Sequence, residues 1–343
     1  MSRFAVDTLR REGETLVVLA DTASGAWLHL WPALGNNALA ARLAAPDGRL
    51  VDLLLDPPTL EELRAHPSWW GIPLLFPFPS RVPRGEYVFE GRQLRLPRDF
   101  HGFALDRPWK VVAVQAGDDA ATVQSRFDAA DHPDILDGYP FPYQVDATYR
   151  LDAQSVGLHV QVTNTGWSKL PFGYGAHPYF RLPLGPRGSP GECLIQVPAA
   201  RRWNLPRVHA VSDGVVAPWE ELCQPVHGEH DLRRPTPLVE RTYDGVYTEL
   251  ALRDGLVECT VLDPANGLAA VMRATPNHPN VSVYTPPGRP GVCVEPGTCP
   301  PTVFNLAAHG VRGHGLVVLA PGEHWEGSMW LLLRPAAGSS CGA

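Results

Sequence analysis

Five polar side chains in this sequence sit where the backbone is under unusual local control. Arg81 lies in FPFPSRVPRGEY, His101 in RDFHGFALDRPW, His177 in GYGAHPYF, Asp244 in RTYDGVYTEL and Glu295 in GVCVEPGTCPP. Each has glycine, proline or an aromatic nearby, as expected of loop residues held at one mouth of a rigid scaffold. Around His177, Pro171 and Pro178 restrict the chain while Gly173 and Gly175 open unusual dihedrals, which predicts neither a helix interior nor a freely paired central strand. Taken singly, each residue also has a plainer account. Arg81 could bridge a surface carboxylate, an interaction of small weight. Asp244 could close an Asx-turn before Gly245, and Glu295 could be an edge-strand carboxylate beside Pro296. With thirteen histidines in the chain, a solvent-facing or core role is the ordinary one, and His66, His132, His159 and His230 are assigned to it.

Several chemistries can be tested against spacing. His101, His177 and Glu295 could ligate a divalent ion, but no HxH, HxxxH or HExxH pair supplies a local chelate. There is no GxSxG elbow for a serine hydrolase, and no phosphate loop or dinucleotide glycine fingerprint. Trp69, Trp70, Phe76, Phe78, Tyr174, Tyr179 and Phe180 fall in or beside the five segments. Core packing accounts for most aromatics. Aromatic faces also stack on sugar rings while Arg, Asp and His address hydroxyls, so the set suits a carbohydrate site.

The elements that must position these residues are short and extended. The 343 residues include 32 glycines and 36 prolines spread along the chain, which favours many short strands joined by turns. TLVVLA and AWLHLW flank a turn at DTASG, and EYVFEGRQLRL turns at Glu90-Gly91. GLHVQVTNTG sends Leu158, Val160 and Val162 to one face and His159, Gln161 and Thr163 to the other. GLVECTVLDPANGLAAVMRAT is predicted to turn at Asn266-Gly267, and NVSVYTPP and GHGLVVLAPGEHWEGSMWLLLR close the pattern. DPPTLEELRAHP carries Thr59 and Glu62 at capping-box spacing ahead of Pro67, and APWEELCQPV suits one more short helix. One all-β sandwich domain over residues 1–335 is expected, with a flexible tail over 336–343.

Composition narrows the partners. The net charge is −7 with no dense basic run, unlike a nucleic-acid binder. No segment has the length of a membrane-spanning helix, and the start MSRFAVDTLRREGETL lacks the apolar region of a signal peptide. Six cysteines without a CxxC pair suggest free thiols in a cytoplasmic protein. A small neutral molecule is the partner this balance favours.

The ordered set GIPLLFPFPSR, HGFALDRPW, PFGYGAHPYF, TYDGVYTEL and VCVEPGTCPP, closed by LAPGEHWEGSMWLLLR, resembles the aldose 1-epimerase (galactose mutarotase-like) family from about Leu34 to Leu333. That resemblance implies a twisted antiparallel β-supersandwich with few short helices and a sugar site in an open cleft. It also implies interconversion of the α and β anomers of a free aldose without metal or organic cofactor. By motif, His177 and Glu295 match the catalytic pair. His101 matches a second histidine on the sugar, Arg81 an arginine near ring hydroxyls, and Asp244 a hydroxyl-binding aspartate. In those roles Glu295 is the base at O1 and His177 the acid at O5. The expected pH profile is a bell, its acid limb from protonating Glu295 and its alkaline limb from deprotonating His177. PSR and HGF stand where many sugar-specific members carry NR and HGG. HGF also resembles the glucose-6-phosphate 1-epimerase branch, for which Arg84, Arg98, Arg107 or Arg181 could hold a phosphate. A non-catalytic sugar-binding protein is the third possibility, and GYPFPY at 138–143 has no assigned role.

Overall fold

Alternating segments of the chain become ladders, and the ladders assemble into three principal sheets. The computed structural model describes residues 2–238 and 242–336. In Ser155–Asn164, Leu158, Val160 and Val162 are buried while His159 faces solvent. That strand pairs antiparallel with Tyr143–Asp152 on one side and His324–Pro335 on the other, inside a ten-stranded sheet. A five-stranded sheet is built from Phe4–Arg11, Glu14–Asp21, Trp27–Trp31, Asn37–Ala44 and Leu50–Asp52. The third sheet has eight strands and carries the site. Its order is Cys223–Pro225, Ala199–Trp203, Asp244–Leu250, Asn280–Tyr284, Gly291–Gly297, Gly175–Ala176 and Leu74–Leu75, with Tyr179–Arg181 as a further partner of Gly291–Gly297.

One continuous cluster of buried side chains joins the three sheets, taking in Leu28 and Leu30, Val160 and Leu331, and Val281 and Val294. Truncating such a leucine to alanine typically costs about 2–5 kcal/mol. GYPFPY belongs here: Tyr139, Phe141 and Tyr143 are buried, and the Tyr139 hydroxyl donates to the carbonyl of Pro171. The segment without an assigned role is thus core beneath the His177 stretch. Two smaller clusters lie behind the site. One contains Trp31, Trp70, Tyr179 and Cys293, the other Trp203, Val208, Val246 and Leu306.

Turn chemistry explains where the expected elements form and where they differ. Glu90 and Gly91 both have positive φ, 47° and 76°, the paired left-handed conformation that a two-residue hairpin requires. The same device at Glu12-Gly13 adds a first strand, Phe4–Arg11, that the sequence reading left out. At Asn266-Gly267 only the glycine is left-handed. Pro264–Asn266 forms a 3-10 turn capped by Asp263, because proline presets the first helical φ. The Asn266 side chain turns inward to the Asp263 carboxylate and the Arg187 carbonyl. Helices are short, six residues or fewer among those described. Thr59 accepts the Glu62 amide at 3.0 Å as the cap of Leu60–Ala65, and Trp219–Leu222 is the helix expected in APWEELCQPV.

No helix among the described residues is long and apolar enough to cross a membrane. The five described cysteines are free and buried; Cys341 lies outside the described residues. Ala336 donates its N–H to Gly267, and the rest of the expected tail, 337–343, is likewise outside them.

Candidate functional site

His177 owes its position to a break between two ladders. Gly175 pairs with Leu75 on one side and Gly297 on the other, and pairing resumes at Tyr179 opposite Cys293. The stretch is therefore centrally paired at both ends, against expectation. His177 and Pro178 interrupt it, and Pro178 has no N–H to donate. The His177 amide donates to the Pro73 carbonyl at 3.0 Å. Gly173 is needed for close approach, since a Cβ there would lie 2.4 Å from the Cys299 sulfur.

Glu295 also departs from the expected loop setting. It sits within Gly291–Gly297, opposite Ser282, and is buried. Asp244, exposed, opens its own strand opposite Tyr284. His177 and Tyr179 are two residues apart, as are Cys293 and Glu295, so period-two geometry brings them together. The His177 ring stacks on Tyr179 with centroids 4.6 Å apart and planes 3° apart. His177 Nε2 lies 3.4 Å from Glu295 Oε1.

Arg81 and His101 come from two loops joined by an isolated bridge, Arg81 to Phe100. The Ser80 amide donates to His101 Nδ1 at 3.0 Å. That fixes the neutral tautomer with the proton on Nε2. Ser80, His101 and Gly102 all have positive φ, so backbone strain is concentrated here. The His101 and His177 ring centroids are 5.7 Å apart, edge to face. Arg81 is half exposed, paired with Asp99 at 3.3 Å and lying over the Phe100 ring. Gly102 is the tightest point of this mount: a Cβ would sit 2.0 Å from the Phe76 carbonyl oxygen, at φ +70°. Gly102→Ala should therefore destabilise the fold by more than the ~1–3 kcal/mol of backbone strain alone. Thermal melting checks this, and an unchanged Tm would refute the role.

All five expected residues line one open pocket of about 310 Å³. Trp69 and Tyr179 line it too, whereas Trp70, Phe76, Phe78, Tyr174 and Phe180 are core. The sequence reading missed Ser80, Leu205, His209, Ser282 and Tyr284, which also line it. A histidine in NLPRVHA carries no local signal that separates it from a surface residue. Tyr284 and Ser282 were recoverable only from strand register.

Burial sets the charge state. It pushes the His177 imidazole down to about 3, with Arg289 contributing. It pushes the Glu295 carboxyl up to about 8, aided by the Asp244 charge. His101 is held well below its ordinary value by burial and by His177, Arg81 and Arg98. The resting site at neutral pH therefore holds a protonated Glu295 beside a neutral His177, the reverse of the expected order. Between those limits the pair carries one proton, and its two titrations belong to the pair.

Among the described residues, His177, Cys293 and Glu295 form a group whose donor atoms lie within 4.8 Å of one another; His101 is not in it. Burial holds the Cys293 thiol well above its usual range, which disfavours the thiolate a metal needs. The arginines weighed for a phosphate are all engaged with carboxylates. Arg84 meets Glu86 and Asp213, Arg98 meets Asp106, Arg107 meets Asp134 and Arg181 meets Asp56. None of the four lines the pocket.

The fold has solved counterparts. A galactose mutarotase-like protein from Clostridium acetobutylicum superposes with a TM-score of 0.83 at 18% identity, over 97% of this chain and 99% of that one. Galactose 1-epimerase from Lactobacillus acidophilus NCFM gives 0.73 at 15% identity, over 97% and 99%. In sequence, the uncharacterized protein YphB of Escherichia coli K12 is 27% identical over 271 residues, 75% of this chain and 81% of that protein. The sequence model for aldose 1-epimerase matches residues 39–332, and with most of its length so matched the chain belongs to the aldose 1-epimerase family.

Proposed function

We propose that this protein is an isomerase that interconverts the α and β anomers of a free, unphosphorylated aldose. One observation carries the reading. A buried histidine and a buried carboxyl stand 3.4 Å apart in an open pocket, and between them they hold a single mobile proton. Ring opening needs that inventory: the O1 hydroxyl loses a proton, the C1–O5 bond breaks with its electron pair going to O5, and O5 gains a proton. The aldehyde then rotates about C1–C2 and recloses on its other face, with the proton transfers reversed.

Glu295 acts at O1 and His177 at O5 in this proposal. The reactive form, carboxylate beside imidazolium, has the same proton count as the resting neutral pair and differs by one transfer between them. A bound sugar favours it, because O1–H donates to the carboxylate and O5 accepts from the imidazolium. His101 Nε2–H and Arg81 donate to ring hydroxyls, and Asp244 accepts from them.

The lining favours a neutral substrate. Asp244 opposes Arg81, which Asp99 already pairs. A phosphate dianion would meet one carboxylate and one engaged cation there. Anomer exchange of galactose, glucose and glucose 6-phosphate, followed side by side by NMR, tests the substrate class. Acceleration of at least one neutral sugar, about tenfold or more above the phosphate, is expected for a desolvated charge without a partner. Preference for the phosphate would replace the reading with the sugar-phosphate one, and binding without exchange would replace it with a sugar-binding protein.

A further inference from the structure

We propose that His209 is a specificity-determining residue of this pocket, hydrogen-bonding a sugar hydroxyl remote from the anomeric carbon. The inference rests on the epimerase reading for the pose of the sugar. The helix Leu205–Ala210 forms one wall. Leu205 and His209 are four residues apart and so share a helical face, and both line the pocket. The opposite side of the helix is anchored: Val208 is fully buried in the cluster with Trp203, Val211, Val246 and Leu306. The wall is therefore fixed by packing, as a specificity element must be.

The imidazole is oriented as well as placed. His209 Nδ1 lies 3.5 Å from the Thr302 hydroxyl. Thr302 sits at φ +63° and donates its backbone N–H to the Arg81 carbonyl at 2.8 Å. One residue thus positions both the ring of His209 and the backbone of Arg81. His209 Nε2 has no hydrogen-bond partner among the described residues, and the half-buried side chain lines the cavity. Burial and the nearby Arg81 charge lower its pKa, and the Asp244 charge opposes them. His209 is thus neutral at pH 7 and lies within electrostatic reach of Arg81 and Asp244, two of the three residues proposed to hold ring hydroxyls. With C1 over His177 and Glu295, a hydroxyl at this wall belongs to a carbon away from the reaction. Changing that contact should alter which aldose is accepted more than how fast the bound one turns over.

The test compares wild type with His209→Ala and His209→Gln on galactose, glucose and the monodeoxy galactoses, by NMR exchange. Losing one neutral hydrogen bond should raise KM for the preferred sugar about three- to tenfold, with kcat changing less than KM. One monodeoxy sugar should be handicapped by a similar factor in wild type and lose that handicap in His209→Ala. His209→Gln, which keeps a donor, should recover part of the KM. Thermal melting of each variant guards against a folding defect. An unchanged KM and deoxy pattern overturns the proposal, as does a fall in kcat at constant KM. If wild type accelerates no exchange, the epimerase reading fails separately, and NMR titration with galactose and glucose decides this one. Weaker binding by His209→Ala then supports it; equal binding, or none to either protein, overturns it.

Discussion

Glu295→Gln should lower kcat/KM for anomer exchange by about two to four orders of magnitude, and His177→Asn by a similar factor, the usual weight of a positioned proton-transfer group. Each group must act as acid in one half of the turnover and base in the other, and neither amide can do either. The two losses should not add: a double variant should be about as slow as either single one, as when residues act as one unit. Burial already keeps Glu295 protonated at neutral pH, so glutamine reproduces its shape and charge and the fold should survive intact. His177→Asn gives up the stacking on Tyr179, worth about 0.5–1.5 kcal/mol, and its Tm should fall slightly. Polarimetry on the preferred neutral aldose measures the rates, with each variant's melt recorded beside it. A variant that folds and keeps a tenth or more of wild-type activity would sink the pairing.

Features encoded within a few residues could be seen in the sequence. The alternation in Ser155–Asn164, the Glu90-Gly91 hairpin and the Thr59 cap all formed as expected, because each depends on near neighbours. The five residues singled out by motif and order all line one pocket. Properties fixed by distant partners were hidden. Arg181 looked available for a phosphate, yet Asp56, 125 residues away, occupies it. Asn266-Gly267 resembled a two-residue hairpin until Asp263 and Arg187 claimed the asparagine side chain.

The protonation order was hidden for the same reason. In isolation histidine titrates above glutamate. The inversion comes from Tyr179, Cys293 and the surrounding sheet excluding water from both groups, an effect of packing. His209 was missed because its role depends on which way a one-and-a-half-turn helix faces. That is decided by Val208 and the cluster behind it.

The inverted order makes a second prediction large enough to decide the chemistry. The pair should work while it holds one proton, so kcat/KM should be level through the neutral range. Above about 8, where Glu295 gives up its proton, it should fall about tenfold per pH unit. The acid limb, set by His177 near 3, lies below the range most assays use. An ordinary glutamate–histidine pair would instead lose activity above the histidine's usual value. Asp244 contributes to the raised carboxyl, so Asp244→Asn should move the alkaline limb downward while weakening sugar binding. Stability gives an independent measure. The folded carboxyl titrates at about 8 against 4.5 for an ordinary glutamate, so the folded state binds the extra proton between those values. Its contribution to stability is complete below about 4.5 and disappears as pH rises to about 8, a change on the order of a few kcal/mol. Glu295→Gln has no such proton to lose. Its Tm should be near wild type at pH 5 and increasingly higher from pH 6 to 9. A Tm difference that stays flat with pH, or an activity that already falls between pH 5 and 7, would show that the buried carboxyl does not hold its proton. In that event the neutral pair could not be the resting state of the site.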